Sequence, residues 1–194
     1  VINWFYEMLG NKSLSELDNL AERVKAGSEG LILLPYFSGE RTPINNPNAR
    51  GLLFGLSLYH KKDHVFRAIM EGIAYGIKDN LEHMEKLGTP VKKIVTVGGG
   101  TNSEIFLKII NSVLDEEILI PEIKLGASYG DAFLAGKGIG IFNSITDILK
   151  WIRYNKVDYY TELESKIYKK YYNVYKKLYM ANKDLFEELA KIKN

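Results

Sequence analysis

The sequence predicts an α/β layer fold, and three observations carry that reading. Short apolar runs stopped by proline or glycine alternate with segments of helical period. The order strand, helix, strand, helix recurs between residues 93 and 139. The chain then ends in one long, charged helical stretch. Short buried strands separated by amphipathic helices pair in parallel, because each helix carries the chain back to the edge where the previous strand began.

Residues 1–9 read as a helix, with Val1, Trp4, Phe5, Met8 and Leu9 at helical spacing, broken by Gly10-Asn11. A second helix is expected over 14–25. Ser13 followed by Glu16 is a capping-box pattern for its start, and Gly27 ends it. Leu31-Ile32-Leu33-Leu34 reads as a buried strand stopped by Pro35, and 52–58 as a second strand. Between them, 36–50 is too long and too polar for a routine connection, and loops of that kind often carry function. Arg41 and Arg50 in it either hold a phosphate or carboxylate, or pair with Glu40 to brace the loop. Apolar residues at 65, 66, 69, 73, 77, 81 and 84 give a helix over 63–87, closed by Gly88. A strand over 93–97, a helix over 104–114, a strand over 117–120 stopped by Pro121, and a helix over 126–139 follow. After a variable stretch, a tyrosine-rich helix is expected from 159 to 193.

The bulk numbers narrow the function. At 194 residues the chain can bury a core without disulfide staples. A net charge of +2 gives no reason to expect nucleic acid or an anionic membrane surface as partner. The absence of cysteine removes disulfides, thiolate-bound zinc and thiol catalysis, and fits a reducing cytoplasm. No apolar run has the length of a membrane span, and no signal peptide is visible. The chain opens at Val1 directly into helical sequence, so it reads as a piece of a longer protein.

The most informative segment is Lys93-Ile94-Val95-Thr96-Val97-Gly98-Gly99-Gly100-Thr101-Asn102-Ser103. An apolar strand runs into three glycines and then a helix. Without Cβ atoms the backbone can approach a flat or anionic group closely, and the helix start points free N–H groups and a positive dipole end at the same spot. That suits a nucleotide or phosphate, although a ligand-free tight turn would have the same pattern. Two ligand classes compete. Gly98 and Gly100 satisfy the first part of a dinucleotide-binding fingerprint, and Glu122 lies at a fitting distance for a ribose contact. Ser103 stands where the third glycine belongs. The alternative is the ATP-binding lobe of a two-lobed phosphotransferase.

Other constellations have plainer readings. His60 and His64 are four apart but lack the glutamate and third ligand of a zinc site. His83 falls on the exposed side of its helix. Arg67 and Glu71 are four apart and read as a helix-surface pair worth roughly 0.2–0.5 kcal/mol. The tyrosines at 168, 172, 175 and 179 form a stripe that serves as core or as an interface between copies in a homodimer. Small residues from Gly126 to Gly138 give a smooth helix suited to close packing or to a hinge.

Gly51-Leu52-Leu53-Phe54-Gly55-Leu56, seven further residues, and His64-Val65-Phe66-Arg67-Ala68-Ile69-Met70-Glu71 resemble the C-terminal signature of the FGGY carbohydrate kinases without departure. The segment 34–51 (Leu-Pro-Tyr-Phe-Ser-Gly-Glu-Arg-Thr-Pro, then Pro-Asn-Ala-Arg-Gly) is similar to the xylulokinase and gluconokinase branches of that family. Val97-Gly98-Gly99-Gly100 resembles its adenosine motif, and Leu125-Gly126-Ala127 with Ala135-Gly136 resembles its connecting helix near the hinge. The resemblance implies an actin-like (ribonuclease H-like) ATPase lobe: a mixed sheet flanked by helices, with a long C-terminal helix. It implies transfer of the ATP γ-phosphate, with Mg²⁺, to a hydroxyl of a sugar such as xylulose. Gluconate, glycerol or another polyol are the alternative substrates, and a non-catalytic actin-like nucleotide-binding module is the alternative outside the enzymes.

By the same resemblance, Gly98, Gly99 and Gly100 lie beneath the adenosine and α-phosphate, with Asn102 and Ser103 beside them. Ser103 stands where related glycerol kinases have asparagine. Asn3, just before Trp4, matches a nucleotide-contacting glutamine of those relatives. The resemblance divides the chain into a helical lead-in (1–29), an α/β core (30–142), and a linker with the C-terminal helix (143–194). The family's aspartate base and both phosphate loops belong upstream of residue 1, in an N-terminal lobe that this chain lacks and that is its expected partner. No carboxylate here matches that base, so no catalytic residue and no metal ligand is assigned. The chain by itself is not expected to phosphorylate sugar.

Overall fold

The computed structural model describes residues 1–8, 13–124 and 126–193. Leu9, Gly10 and Asn11, expected to end the first helix, and Leu125, expected in the connecting helix, lie outside the described residues. The helices are α1 (Ile2–Met8), α2 (Leu14–Glu22), α3 (Lys62–Lys86), α4 (Glu104–Leu114), α5 (Ala127–Gly138) and α6 (Glu162–Lys193). The strands are β1 (Ile32–Leu34), β2 (Leu52–Phe54), β3 (Ile94–Val95), β4 (Ile118–Pro121) and β5 (Tyr154–Val157).

The strands form two sheets. β1 and β2 pair antiparallel, with Ile32 opposite Phe54. In the other sheet, ordered β3-β4-β5, β3 runs parallel to β4 and β5 antiparallel to it. The expected parallel pairing therefore holds for β3 and β4, and the other pairs are antiparallel. β5 arises in the stretch read as variable. Its residues Tyr-Asn-Lys-Val show one buried side chain, Val157, which lies opposite Ile118. Such a strand is defined by its neighbour rather than by its own pattern.

The helix starts follow local chemistry. At α2 the Ser13 hydroxyl accepts from the Glu16 amide (3.2 Å) and the Glu16 carboxylate accepts from the Ser13 amide (2.9 Å). α2 stops at Glu22, three residues short of expectation. The chain tightens there to short-range bonds such as Val24 N–H to Ala21 C=O, and that carbonyl also accepts from Arg67. Beyond it, residues 27–30 all have positive φ, including the non-glycine Ser28 and Glu29. α3 ends as expected at Gly88, whose φ of +78° lets the Thr89 amide reach back to the Met84 carbonyl. β2 ends at Phe54 rather than 58, because Gly55 turns the chain at φ +89° and leaves Leu56 and Leu58 exposed.

The core lies between β1, α3, α4 and α6. α3 sits so close to β1 that a Cβ on Gly72 would stand 2.3 Å from the Leu33 carbonyl oxygen. Phe66, Ile69, Met70 and Tyr75 on α3 meet Ile109, Ile110 and Val113 of α4 in one buried cluster. Lys78 closes the C-terminal end of α4, donating to the carbonyls of Val113 (2.8 Å) and Leu114 (3.4 Å). The tyrosine stripe of α6 is core: Tyr168, Tyr172 and Tyr175 are buried around Tyr75, and the Tyr36 and Tyr175 hydroxyls meet at 3.0 Å.

Two expectations about charge are corrected. Arg67 and Glu71 are buried to 3% and 1% exposure, not a surface pair. Arg67 donates to Glu71 (2.9 Å), to the Ala21 carbonyl (3.1 Å) and to the Tyr168 hydroxyl (2.8 Å). Glu71 also accepts from the Gly27 amide (3.0 Å) and the Ser28 hydroxyl (2.8 Å), so the pair fastens the left-handed segment to α3 and α6. Burial pushes the Glu71 carboxyl upward, against the pull of Arg67 and Ser28. In the 36–50 loop, Glu40 accepts from the Thr42 amide and pairs with neither arginine among the described residues. Arg50 is occupied by the carbonyls of Pro47 and Ala49, and Asn46 and Asn48 dock the loop on Tyr179 and Glu187 of α6.

Candidate functional site

β3 delivers the glycine run. The Thr96 amide still bonds the Leu119 carbonyl (2.9 Å), and at Gly98 the chain turns through φ +95°, a conformation side-chain-bearing residues avoid. Gly99–Asn102 then forms a 3₁₀ turn that leads into α4. A Cβ on Gly98 or Gly99 would meet nothing within 4 Å, so both present bare main chain to open space. Gly100 is different. A Cβ there would stand 3.0 Å from the ring of Phe106, so its small size serves packing on α4.

The end of the turn is built for the fold. Ser103 is 4% exposed, and its hydroxyl accepts from the Phe106 amide (3.2 Å) as the cap of α4. The Asp18 carboxyl of α2 lies near the same hydroxyl. Burial pushes that carboxyl upward, and the neighbouring Ser103 hydroxyl partly offsets the shift. Buried as the cap, Ser103 orients α4 instead of facing the open side of the turn. Asn102 is exposed beside it. Asn3 is exposed on a separate element, α1, which packs on α3 through Phe5 and Phe66.

A second glycine-bearing turn faces the first. The segment between β4 and α5 carries Gly126 at φ +60°, and Gly130 lies one turn into α5; a Cβ on either would meet open space. Val97, Gly98, Ile123, Gly126, Tyr129 and Trp151 are among the residues lining a cleft of about 320 Å³ between them, within the size range of small-molecule sites. Trp151 is positioned by Phe133 and Phe142, with ring centroids at 5.7 and 4.7 Å. Lys124 bridges the two turns, its ammonium donating to the Thr101 carbonyl at 3.1 Å. The sequence reading missed Trp151, which lies in the stretch read as variable, and Lys124, whose one signal was its place next to a glycine-rich turn.

The other candidates separate from this site. His60 precedes α3 and accepts the Ser57 amide at Nδ1 (2.9 Å), while His64 lies in the first turn of α3. Among the described residues no group of three or more His, Asp or Glu side chains is placed to hold a metal ion, and no helix is long and apolar enough to cross a membrane. Glu122 is exposed, and its amide extends the β4–β5 pairing to Arg153 (2.9 Å).

Comparison with known proteins identifies the family and the fold. The profile of the FGGY family of carbohydrate kinases, C-terminal domain, matches residues 3–139. A xylulose kinase of Staphylococcus epidermidis is 33% identical over 195 residues, covering 100% of this chain and 39% of the relative. A gluconokinase of Bacillus subtilis is 36% identical over 146 residues, covering 73% of this chain and 28% of the relative. The crystal structure of a ligand-bound xylulose kinase from Lactobacillus acidophilus superposes with a TM-score of 0.83 at 26% identity, over 97% of this chain and 39% of that one. The fold is thus the actin-like ATPase fold of these sugar kinases, not a dinucleotide-binding one. The chain spans about 39% of the length of the first of these relatives.

Proposed function

Because the chain belongs to the FGGY family of carbohydrate kinases, as its C-terminal domain, we propose that it is the nucleotide-binding part of an ATP-dependent kinase acting on a sugar such as xylulose. One observation carries the nucleotide reading: Gly98 and Gly99 offer main chain with no side-chain atom within 4 Å of where a Cβ would stand. A planar base and the first phosphate can approach such a turn as closely as the backbone allows. Asn102 is free to donate or accept at its rim, and Asn3 is the candidate contact from α1. Ser103 serves by fixing the start of α4.

ATP supplies the phosphoryl group. Phosphoryl transfer depends on positioning, charge neutralisation and a base for the acceptor hydroxyl. This chain's share is positioning. The resemblance assigns the base and both phosphate loops to an N-terminal lobe, and Mg²⁺ would supply charge neutralisation at the phosphates. Xylulose is favoured as substrate because the xylulose kinase similarity covers the whole chain and the gluconokinase similarity 73% of it.

The test is a titration of the ¹⁵N-labelled chain with ADP, which detects even weak binding. Shifts concentrated at Gly98–Ser103, and their loss in Gly99→Val with the fold intact, are expected. A β-branched side chain there fills the space a ligand would take. Shifts confined to another region would refute the site. Phosphorylation of xylulose, gluconate and glycerol by the full-length enzyme would decide the substrate.

A further inference from the structure

Gly98 and Gly99 can present their main chain only if the turn keeps one shape, and glycine by itself does not hold a shape. A 3₁₀ turn of four residues adds little, since its hydrogen-bond geometry is poor. Two side chains supply what is missing. Thr101 is 4% exposed, and its amide (3.1 Å) and hydroxyl (2.8 Å) both donate to the Gly98 carbonyl. Lys124, from the segment after β4, donates its ammonium to the Thr101 carbonyl (3.1 Å). A bond to a charged donor is about twice as strong as a neutral one. It also ties this turn to the loop that precedes α5.

We infer that Thr101 and Lys124 are positioning residues of the nucleotide turn, holding Gly98 and Gly99 open to the ligand without touching it. The inference rests on the nucleotide reading above. It makes the cross-link between the two glycine-bearing turns, Lys124 to Thr101 to Gly98, a determinant of affinity.

Amide exchange and ligand titration of the whole chain test it together. Lys124→Met keeps the aliphatic stem and loses the donor; Thr101→Val keeps the shape and loses the hydroxyl. Each should speed exchange of the Thr101 and Ser103 amides, and weaken both ADP and adenosine, by about tenfold, the effect of losing one such bond. Exchange at Ile109 and Ile110 of α4 should not change. Lys124→Arg and Thr101→Ser should stay within about threefold of the parent, as each restores the donor. Unchanged exchange in the first two variants, or faster exchange with undiminished ADP affinity, overturns the inference. A loss confined to ADP would mark Lys124 as a direct phosphate contact and also overturn it. If Gly99→Val abolishes ADP binding while Lys124→Met leaves it intact, this inference fails and the nucleotide reading stands. If ADP leaves residues 98–103 of the parent unaffected, the nucleotide reading fails and takes this inference with it.

Discussion

Replacing Arg67 by methionine separates a surface helix pair from a buried clasp. As an exposed pair four residues apart, Arg67 and Glu71 would contribute roughly 0.2–0.5 kcal/mol, and the substitution would pass almost unnoticed. In the structure both are nearly solvent-free, and Arg67 donates to Glu71, Tyr168 and the Ala21 carbonyl. Removing it leaves an uncompensated carboxylate in the core, a change that typically costs about 3–5 kcal/mol. Against a total stability of roughly 5–15 kcal/mol for a domain, that is about a fifth or more. For a chain of this length it should lower the melting temperature by roughly 10 °C. Urea unfolding followed by circular dichroism measures it directly. The double variant Arg67→Met with Glu71→Met should recover part of the loss, since no charge is then stranded. It should not recover all of it, because the Gly27 amide and Ser28 hydroxyl lose their acceptor. A cost below about 1 kcal/mol for the single variant would refute the buried clasp.

Further expectations follow from the same packing. Gly72→Ala gains about 1 kcal/mol of helix preference, but its Cβ would stand 2.3 Å from the Leu33 carbonyl, so α3 must lift off β1 and the melting temperature should fall; an equal or higher value would contradict the close approach. Asp18 has a folded-state pKa raised above its unfolded value by burial, so its ionised form disfavours folding above that value, and the burden disappears as pH falls toward the ordinary aspartate value near 3.8. Asp18→Asn should therefore gain on the parent at pH 7 and lose that advantage by about pH 4 in paired melting curves; a pH-independent difference would point elsewhere. Ser103→Ala should cost about 1 kcal/mol in urea unfolding through loss of the α4 cap, and an unchanged midpoint would contradict the cap.

How much of this could be read from residues alone depended on whether the determining partner was near in sequence. α4 occupies 104–114 as expected, and Gly88 and the Ser13–Glu16 box terminate helices where local rules place them. These features are set within one turn of chain. The ends that missed were set from afar. α2 ends at Glu22 where Arg67, far along the chain, bonds the Ala21 carbonyl, and β5 exists because β4 offers it an edge. Nothing in Tyr-Asn-Lys-Val announces a strand, and nothing in an i, i+4 spacing says which face of a helix is buried.

The candidate site divides along the same line. Three consecutive glycines after an apolar strand marked the turn, and the resemblance gave it a ligand class, yet the three do different work. Gly98 and Gly99 keep space open, whereas Gly100 makes room for Phe106. Ser103 reads as one more polar residue at the rim, but it is buried and caps α4. Glycine in a sequence reports that a side chain is not tolerated. It does not report whether a ligand or the protein's own core is the reason. Only the direction of the absent Cβ distinguishes them, and that direction is fixed by Thr101 and Lys124, neither of which belongs to the glycine pattern. A nucleotide site of this kind is therefore legible as a location before it is legible as a set of contacts, because the contacts are main-chain atoms whose orientation is decided by residues outside the motif.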